Sequence, residues 1–170
     1  GEVLKKFYAP NAENEWPDIY SVDVSSDSKK LAVGGTMVLT IIDIDNGKII
    51  RKFDINFWAR SSGFSPDSES ILIEDEDMLI LYDIFSGRKI CKIDRQEITD
   101  SGFTGKNNNF FALDSTKDLI VVDENTCETS ITIEIDNSTA RAYSFLNGKH
   151  ILVSSPSNSE VWNIKTNILD

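Results

Sequence analysis

The sequence predicts an all-β fold built from four similar units of about 40 residues each. Three observations support this prediction: a dipeptide recurs at a constant spacing, a polar turn precedes each copy, and short apolar runs flank every turn. Runs of this kind, rich in Val and Ile and bounded by turn residues, are typical of strands and not of helices.

The recurring dipeptide is an apolar residue followed by Asp or Asn. Its four copies, each 40 residues after the previous one, are Ile42-Asp43, Tyr82-Asp83, Val122-Asp123 and Trp162-Asn163. Gly47 and Gly87 follow the first two copies, and glycine supplies the positive φ that a tight hairpin turn requires. A constant spacing of this length is the signature of a repeat protein.

The polar turns precede the dipeptides at matching positions, within residues 24–31, 64–71, 103–110 and 145–151. Pro66 presets φ for a turn, and Asp27 and Asp67 can hydrogen-bond to the backbone two residues further on. With the apolar runs on either side of each turn, every complete unit is predicted to contain four strands.

A four-stranded antiparallel unit cannot bury both of its faces alone, and such units stack radially as the blades of a β-propeller. We therefore expect one domain over residues 1–170, with blades at about 19–58, 59–98, 99–138 and 139–170. The segment from Phe64 to Gly87 resembles a WD40 repeat, and Trp162-Asn163 stands where that family often has Trp-Asp. The Gly-His pair of that family does not precede the first strands.

The two ends of the sequence are complementary in their predicted strands. Residues 1–8 are similar to residues 47–53 and are expected to form an outer strand that closes the ring, whereas the fourth unit is expected to stop after its third strand. Three assemblies agree with this count: a closed four-bladed ring, half of an eight-bladed homodimer, or part of a longer propeller.

The composition is acidic, with 28 Asp and Glu against 17 Lys and Arg and a net charge of −11. This charge disfavours direct contact with nucleic acids and anionic lipid surfaces, and it favours basic partners. No apolar run approaches the roughly 18 residues of a membrane-spanning helix, so we expect a soluble cytoplasmic protein without membrane contact. Cys91 and Cys127 lack metal-binding or redox spacing and are predicted to be buried or incidental thiols in a reducing compartment.

The resemblance to WD40 repeats implies that loops at one end of the blades contact a partner. Trp16 lies in the longest connection between units, Trp58 lies in the next connection at residues 56–59, and Arg60 follows it. Trp and Arg side chains contribute much of the binding energy of protein interfaces. The alternative is that both Trp side chains cap the apolar core.

The densest run of charge is Glu74, Asp75, Glu76 and Asp77. In a loop between strands, these carboxylates could bind a basic peptide, and the alternative is a solvated loop without a partner. The run lacks the alternating ligands and the glycine of a Ca²⁺-binding loop, so no metal site is predicted.

The sequence contains no motif of a known catalytic site. The single histidine, His150, begins a predicted strand, and no nucleophile elbow, P-loop or metalloprotease motif occurs. We therefore expect no catalytic residue and no cofactor, and predict a scaffold that docks a protein or peptide. The alternative is a small-molecule binder or a hydrolase of the lactonase type, centred on the channel of the propeller.

Overall fold

The computed structural model describes residues 2, 6–7, 18–75, 77–105, 108–116, 118–135, 141–144, 149–156, 158–164 and 168–169. These residues form fifteen strands and contain no helix. The strands make four antiparallel sheets, which confirms the prediction of an all-β fold. None of the described segments forms a helix that is long and apolar enough to span a membrane.

The strands follow one another in a simple meander within each sheet. In chain order they are β1 Ile19–Val24, β2 Lys30–Asp43, β3 Ile49–Trp58, β4 Ser61–Phe64, β5 Ser70–Asp75, β6 Met78–Asp83, β7 Lys89–Asp94, β8 Ile98–Phe103, β9 Phe110–Asp114, β10 Asp118–Val122, β11 Thr129–Glu134, β12 Arg141–Ser144, β13 His150–Ser154, β14 Ser159–Asn163 and β15 Ile168–Leu169. Sheet 1 contains β1–β3, sheet 2 contains β4–β7, sheet 3 contains β8–β11, and sheet 4 contains β12–β15.

Strand β2 contains the second and third strands of sheet 1 in one continuous run. Fourteen residues of straight strand would separate its ends by about 45 Å, but the amide of Ile44 donates to the carbonyl of Lys29 at 2.8 Å. The chain therefore reverses within β2, and Met37, with φ of 59°, lies in the reversal. An equivalent hydrogen bond, from the amide of Ile84 to the carbonyl of Glu69, closes the β5–β6 hairpin of sheet 2.

Consecutive sheets pack against each other through three apolar clusters. Successive side chains of a strand point to opposite faces, so Ile71 and Ile73 of β5 pack towards sheet 1 while Leu72 packs towards sheet 3. The third cluster joins sheets 3 and 4 and includes Phe111 and Ile151. Sheets 2 and 3 are therefore covered on both faces, which explains why their middle strands are uniformly apolar.

Polar side chains of the first strands also connect neighbouring sheets. The carboxylate of Asp23 in β1 accepts a hydrogen bond from the amide of Phe64 in β4 at 2.8 Å. The carboxylate of Asp100 in β8 accepts one from the amide of Ala142 in β12 at 3.1 Å. These bonds fix the position of β1 relative to β4 and of β8 relative to β12.

The two cysteines form a disulfide between sheets 2 and 3. Cys91 lies in β7, Cys127 lies in the turn after β10, and their Cα atoms are 5.6 Å apart. The prediction of two free thiols was therefore wrong, although Cys91 is buried. The 36-residue separation in sequence carried no information about distance, because stacking of consecutive sheets brings unlike positions of two repeats together.

The last sheet ends with a short fourth strand. The fourth strand of this unit was predicted to be nearly absent, and its place holds the two-residue strand β15, which pairs with β14 through Leu169 opposite Trp162 and Ile168 opposite Asn163. Two residues are enough to begin the pairing. Most of the predicted closing strand, residues 1–8, lies outside the described residues, and Glu2, Lys6 and Phe7 are not in a strand.

Candidate functional site

The meander places the chain connections alternately at two ends of each sheet. The reversals between second and third strands and the connections to the next sheet lie at one end, which we call the loop end. The turns that follow the first and third strands lie at the other, which we call the turn end. Trp58, Arg60, Asp75 and Asp77 lie at the loop end.

Trp58 is the last residue of β3 and not part of a loop as predicted, because β3 continues through residues 56–58. The pleat of the strand turns Phe57 inward, where it is buried, and turns Trp58 outward, where 57% of it is exposed. Its ring stacks on Tyr20 of β1 with centroids 5.9 Å apart and an interplanar angle of 16°. Trp58 is thus a surface residue and does not cap the core.

Arg60 lines a polar cavity next to this aromatic pair. The backbone amide of Arg60 donates to the carbonyl of Glu74 at 3.0 Å, which holds the connection between sheets 1 and 2 against β5. The cavity has a volume of about 320 Å³ and is lined by Arg60, Glu74, Glu97, Ile98, Thr99 and Arg141. Side chains from the loop ends of sheets 2, 3 and 4 therefore meet around it.

Glu74 is half-buried in this cavity and does not extend freely into solvent. The hydroxyl of Ser101 in β8 donates a hydrogen bond to its carboxylate. Burial raises the pKa of Glu74, the charge of Asp100 adds to that effect, and the Ser101 bond and the charges of Arg60 and Arg141 oppose it. The carboxylate is positioned by sheet 3 although it belongs to sheet 2.

Asp100 is a second partly buried carboxylate beside the cavity. Burial raises its pKa, although the amides of Ala142 and Ser101 donate to its oxygens and lower it. Arg141 is held nearby because its guanidinium donates to the carbonyl of Thr99 at 2.5 Å. The loop end thus combines two arginines with two carboxylates that carry raised pKa values.

The acidic run predicted as a loop divides into different environments. Glu74 and Asp75 are the last residues of β5, and Asp75 is half-buried. Asp77 is exposed, and its carboxylate accepts a hydrogen bond from the amide of Glu97 at 3.2 Å. Glu76 and Trp16, the other two predicted contact residues, lie outside the described residues.

Sequence reasoning did not identify Glu97, Asp100, Ser101 or Arg141 as part of this site. The repeat contains a signal for one of them, because Arg60 and Arg141 each stand four residues before the apolar residue that opens a polar turn, Phe64 and Phe145. Equivalent positions of stacked repeats come together at one end of the fold. Glu97, Asp100 and Ser101 have no equivalent signal.

Within the described part of the chain, no group of three or more His, Cys, Asp or Glu side chains could hold a metal ion. His150 is half-buried at the start of β13, at the turn end of sheet 4 and away from the cavity. The chemistry that the described residues offer at the loop end is therefore that of aromatic, guanidinium, hydroxyl and carboxylate groups.

Comparison with known proteins supports the fold and gives no function. No family model matches the sequence, and no curated protein matches it. Hydrazine synthase from Kuenenia stuttgartiensis has a similar structure, with a TM-score of 0.77 and 13% sequence identity over 99% of this chain and 51% of that one. This chain thus spans about half the length of the hydrazine synthase chain.

In total, 1414 chains of known structure are similar to this one. So many similar chains show that the fold is common, and a common fold carries many unrelated functions. At 13% identity the likeness to hydrazine synthase concerns the fold alone. Function must therefore be argued from the site.

Proposed function

We propose that the four sheets are successive blades of a β-propeller related to WD40 repeats, and that the chain is a non-catalytic scaffold that docks a protein or peptide at its loop end. The order of the sheets supports the blade arrangement, because each apolar cluster of the described residues joins two sheets that are consecutive in sequence. The bonds from Asp23 to Phe64 and from Asp100 to Ala142 set the first strands side by side, as the innermost strands of blades would be.

The stack of Trp58 on Tyr20 is the observation that carries the docking proposal. Trp58 and Tyr20 are 57% and 42% exposed, yet both lie on strands of sheet 1. A rigid exposed aromatic pair gives up little conformational entropy when a partner covers it, and large aromatic side chains are frequent hot spots of interfaces. The cavity beside Arg60 adds polar groups that can orient the partner.

A basic partner agrees best with the charge of this end. The chain carries a net charge of −11, and Asp77 and Glu97 are exposed beside the cavity. Such charges accelerate the association of a basic partner and select against acidic ones more than they add affinity. We therefore propose a protein or peptide with Lys or Arg near the residue that covers Trp58.

The docking proposal is tested by capturing partners from a cell extract with the immobilised chain. Trp58→Ala should reduce the amount of a specifically retained protein by about tenfold, since loss of a hot-spot side chain costs about 2 kcal/mol or more. Phe85→Ala is the matched control, because Phe85 is also an exposed aromatic residue, 91% exposed, but lies at the turn end.

Equal retention of every captured protein by the wild-type chain and by Trp58→Ala would refute the loop end as the docking surface. Equal losses in Trp58→Ala and Phe85→Ala would do the same, because the effect would not be specific to one end.

The assembled ring is a separate part of the proposal. Nine large apolar side chains are markedly exposed among the described residues, and all except Phe85 belong to sheet 1. On β1, Val22 and Val24 are 64% and 50% exposed on the face turned away from sheet 2. We propose that a further sheet covers this face around Val22 and Val24 and leaves the Trp58–Tyr20 stack exposed at the loop end. A second copy in an eight-bladed homodimer or a longer propeller would supply that sheet.

Light scattering after size-exclusion chromatography tests this assembly. A particle of twice 19.0 kDa supports the homodimer, and association without a defined mass supports the longer propeller. A stable monomer that does not associate at high concentration contradicts both and favours the closed four-bladed ring.

The disulfide bears on the proposed compartment. The expectation of a cytoplasmic protein rested in part on two incidental thiols, and the Cys91–Cys127 bond removes that reason. Disulfides persist mainly in oxidising compartments, so this bond supports such a compartment over the cytosol.

A channel-centred small-molecule binder or hydrolase of the lactonase type is the second candidate function. It is favoured by Glu74 and Asp100, two carboxylates with raised pKa values beside a cavity, since such groups are frequent in catalytic sites. Turnover of a sugar, lactone or ester that is lost in Glu74→Gln would support this candidate. Absence of turnover across these three substrate classes, together with partner capture through Trp58, would support the scaffold.

A further inference from the structure

The turn end contains two adjoining cavities, on the opposite side of the molecule from the proposed docking surface. One has a volume of about 480 Å³ and is lined on its apolar side by Ile50, Ile84 and Phe85. The other has a volume of about 340 Å³ and contains the carboxylates of Asp67 and Glu124. Glu69 and Asp83 line both cavities, so together they form a continuous groove across sheets 1, 2 and 3.

The apolar half of the groove is rigid although it is exposed. Phe85 lies in the turn between β6 and β7 and is 91% exposed. The guanidinium of Arg51 in sheet 1 donates to the carbonyl of Ile84 at 3.1 Å and to the carbonyl of Phe85. The turn is therefore held by a neighbouring sheet, and its aromatic ring is presented to solvent on a fixed backbone.

The acidic half contains four carboxylates, Asp67, Glu69, Asp83 and Glu124, and one guanidinium, that of Arg88. Burial raises the pKa of Glu124, and the charges of Asp67 and Asp123 add to the effect. The amide of Asn108 donates to the carboxylate of Asp67. Because the negative charges outnumber the positive one, a cation that enters this half would be attracted and would relieve their mutual repulsion.

We propose that this groove docks a segment of a partner protein in which an apolar side chain stands within two residues of a Lys or Arg. The apolar side chain would lie against Phe85, Ile84 and Ile50, and the basic side chain would reach the carboxylates around Glu69 and Glu124. Charge complementarity selects this occupant, because an acidic segment would face an excess of carboxylates and a purely apolar segment would leave them uncompensated. This surface goes beyond the proposed function, which concerns the loop end.

The probe for this groove is a fluorescein-labelled synthetic peptide with alternating Leu and Arg separated by Ser, and binding is measured by fluorescence anisotropy. Phe85→Ser should weaken binding by about tenfold, and the double charge reversal Glu69→Lys and Glu124→Lys should weaken it at least as much. Phe85 and Glu69 are exposed and Glu124 is half-buried, so thermal unfolding of each variant checks that it is folded. Asp54→Ala is the control, because Asp54 is 87% exposed and lines neither cavity, and it should leave the affinity for this peptide unchanged.

Two further peptides test the chemistry of the occupant. Replacing each Arg with Glu, or each Leu with Ser, should abolish measurable binding, and rising salt should weaken binding of the original peptide because the charges are screened. The groove assignment is overturned if the original peptide does not bind at about 1 mM, if Phe85→Ser and the charge reversal leave its affinity intact, or if Asp54→Ala weakens it as much as Phe85→Ser. Trp58→Ala in the capture experiment tests the loop end, and Phe85→Ser in the peptide titration tests the turn end. Failure of one proposal is therefore distinct from failure of the other.

Discussion

Asp23 and Asp100 each accept a hydrogen bond from a backbone amide of the following sheet, Asp23 from Phe64 and Asp100 from Ala142. A backbone amide that loses its partner away from water destabilises the fold by about 1–3 kcal/mol. Two single side chains thus connect neighbouring sheets, in addition to the apolar clusters and the hydrogen bonds of Arg51 and Arg141. Their contribution can be measured separately from that of the apolar clusters.

Asp23→Ala should lower the free energy of unfolding by about 1–3 kcal/mol, because the amide of Phe64 loses its acceptor. Asp23→Asn should retain much of the stability, since its amide oxygen can still accept. Asp54→Ala is the control at an exposed position, where the side chain is 87% exposed, and should change stability by less than about 0.5 kcal/mol. Denaturation with urea measures all three, and equal losses for Asp23→Ala and Asp54→Ala would contradict this account.

The pH dependence of stability should contain two opposite contributions. Burial raises the pKa of Glu74 above its usual value of 4.5, so as pH rises from there through the raised pKa the folded state holds more protons than the unfolded state and stability falls. Bonds from Ser25 and Lys29 lower the pKa of Asp27 from 3.8 to about 2. Its stabilising contribution is therefore present above pH 3.8 and is lost as pH falls towards about 2.

Glu74→Gln should therefore unfold at a higher temperature than the wild-type chain at pH 7, by roughly 1–3 °C, and the difference should shrink at pH 4. Asp27→Asn should show the opposite pattern, with a lower unfolding temperature at pH 7 and no difference near pH 2. Thermal unfolding followed by circular dichroism measures both variants. If the unfolding temperature of Glu74→Gln rises further above that of the wild-type chain as pH falls, the carboxylate is stabilised, not destabilised, by its surroundings.

At the same scale, sequence reasoning located Trp58 and Arg60 but not their surroundings. Residue type and repeat position were enough to place both at the loop end. The contacts of Glu74 with Ser101 and of Cys91 with Cys127 could not be predicted, because they join different sheets. A contact of this kind depends on how far each sheet is displaced relative to the next, and no spacing in the sequence encodes that displacement.

At the scale of the strands, two glycines test how closely neighbouring sheets approach. A Cβ atom at Gly34 would lie 2.3 Å from the Ser21 hydroxyl and 2.8 Å from the Cβ of Ala59, whereas a Cβ atom at Gly63 would meet nothing within 4 Å. The hydroxyl of Ser21 donates to the carbonyl of Ala59 at 3.0 Å, so it cannot move away without losing that bond. Gly34 is therefore required by the contact between sheets 1 and 2.

Gly34→Ala should lower the free energy of unfolding by about 1–3 kcal/mol, because inserting a methyl group into a packed contact strains its neighbours. Gly63→Ala is the matched control and should be neutral or more stable by up to about 1 kcal/mol, since alanine restricts the unfolded chain. Chemical denaturation of the two variants measures the difference. Equal stability of the two variants would contradict the close approach of the sheets at Gly34.

The disulfide is an element-scale connection between β7 and the turn after β10. It closes a segment of 36 residues, and a crosslink of that length stabilises a fold by about 2–4 kcal/mol by restricting the unfolded chain. Addition of a reductant should lower the unfolding free energy of the wild-type chain by this amount. The double variant Cys91→Ala and Cys127→Ala should be insensitive to reductant, and a wild-type chain that is equally insensitive would contradict the bond.

The sequence predicted the strands well because their signals are local. Each strand is a short apolar run between turn residues, and the pleat alone decides which side chains are buried. The reversal inside β2 shows where local signals stop, since the chain turns back within a segment that keeps strand geometry almost throughout. The extension of β3 to Trp58 has the same origin, because pairing with Thr36 of β2 prolongs a strand beyond its apolar run.

At the scale of the whole molecule, the two ends of the sheets have different surfaces. The loop end presents the Trp58–Tyr20 stack and a cavity with mixed charges, while the turn end presents Phe85 and an acidic groove. The resemblance to WD40 repeats implied that loops at one end contact a partner, which stays a prediction. It gave no sign of the groove at the other end, because that groove is formed by turns of three different sheets.

The central claim, that the loop end docks a partner, is tested most directly by hydrogen exchange of the chain alone and in complex with a protein captured from extract. Slower exchange should appear in residues 57–62 and 97–101, around Trp58, Arg60 and the cavity, while residues 84–88 should exchange as in the free chain. Protection confined to the turn end, or no protection in either segment of the loop end, would contradict the claim.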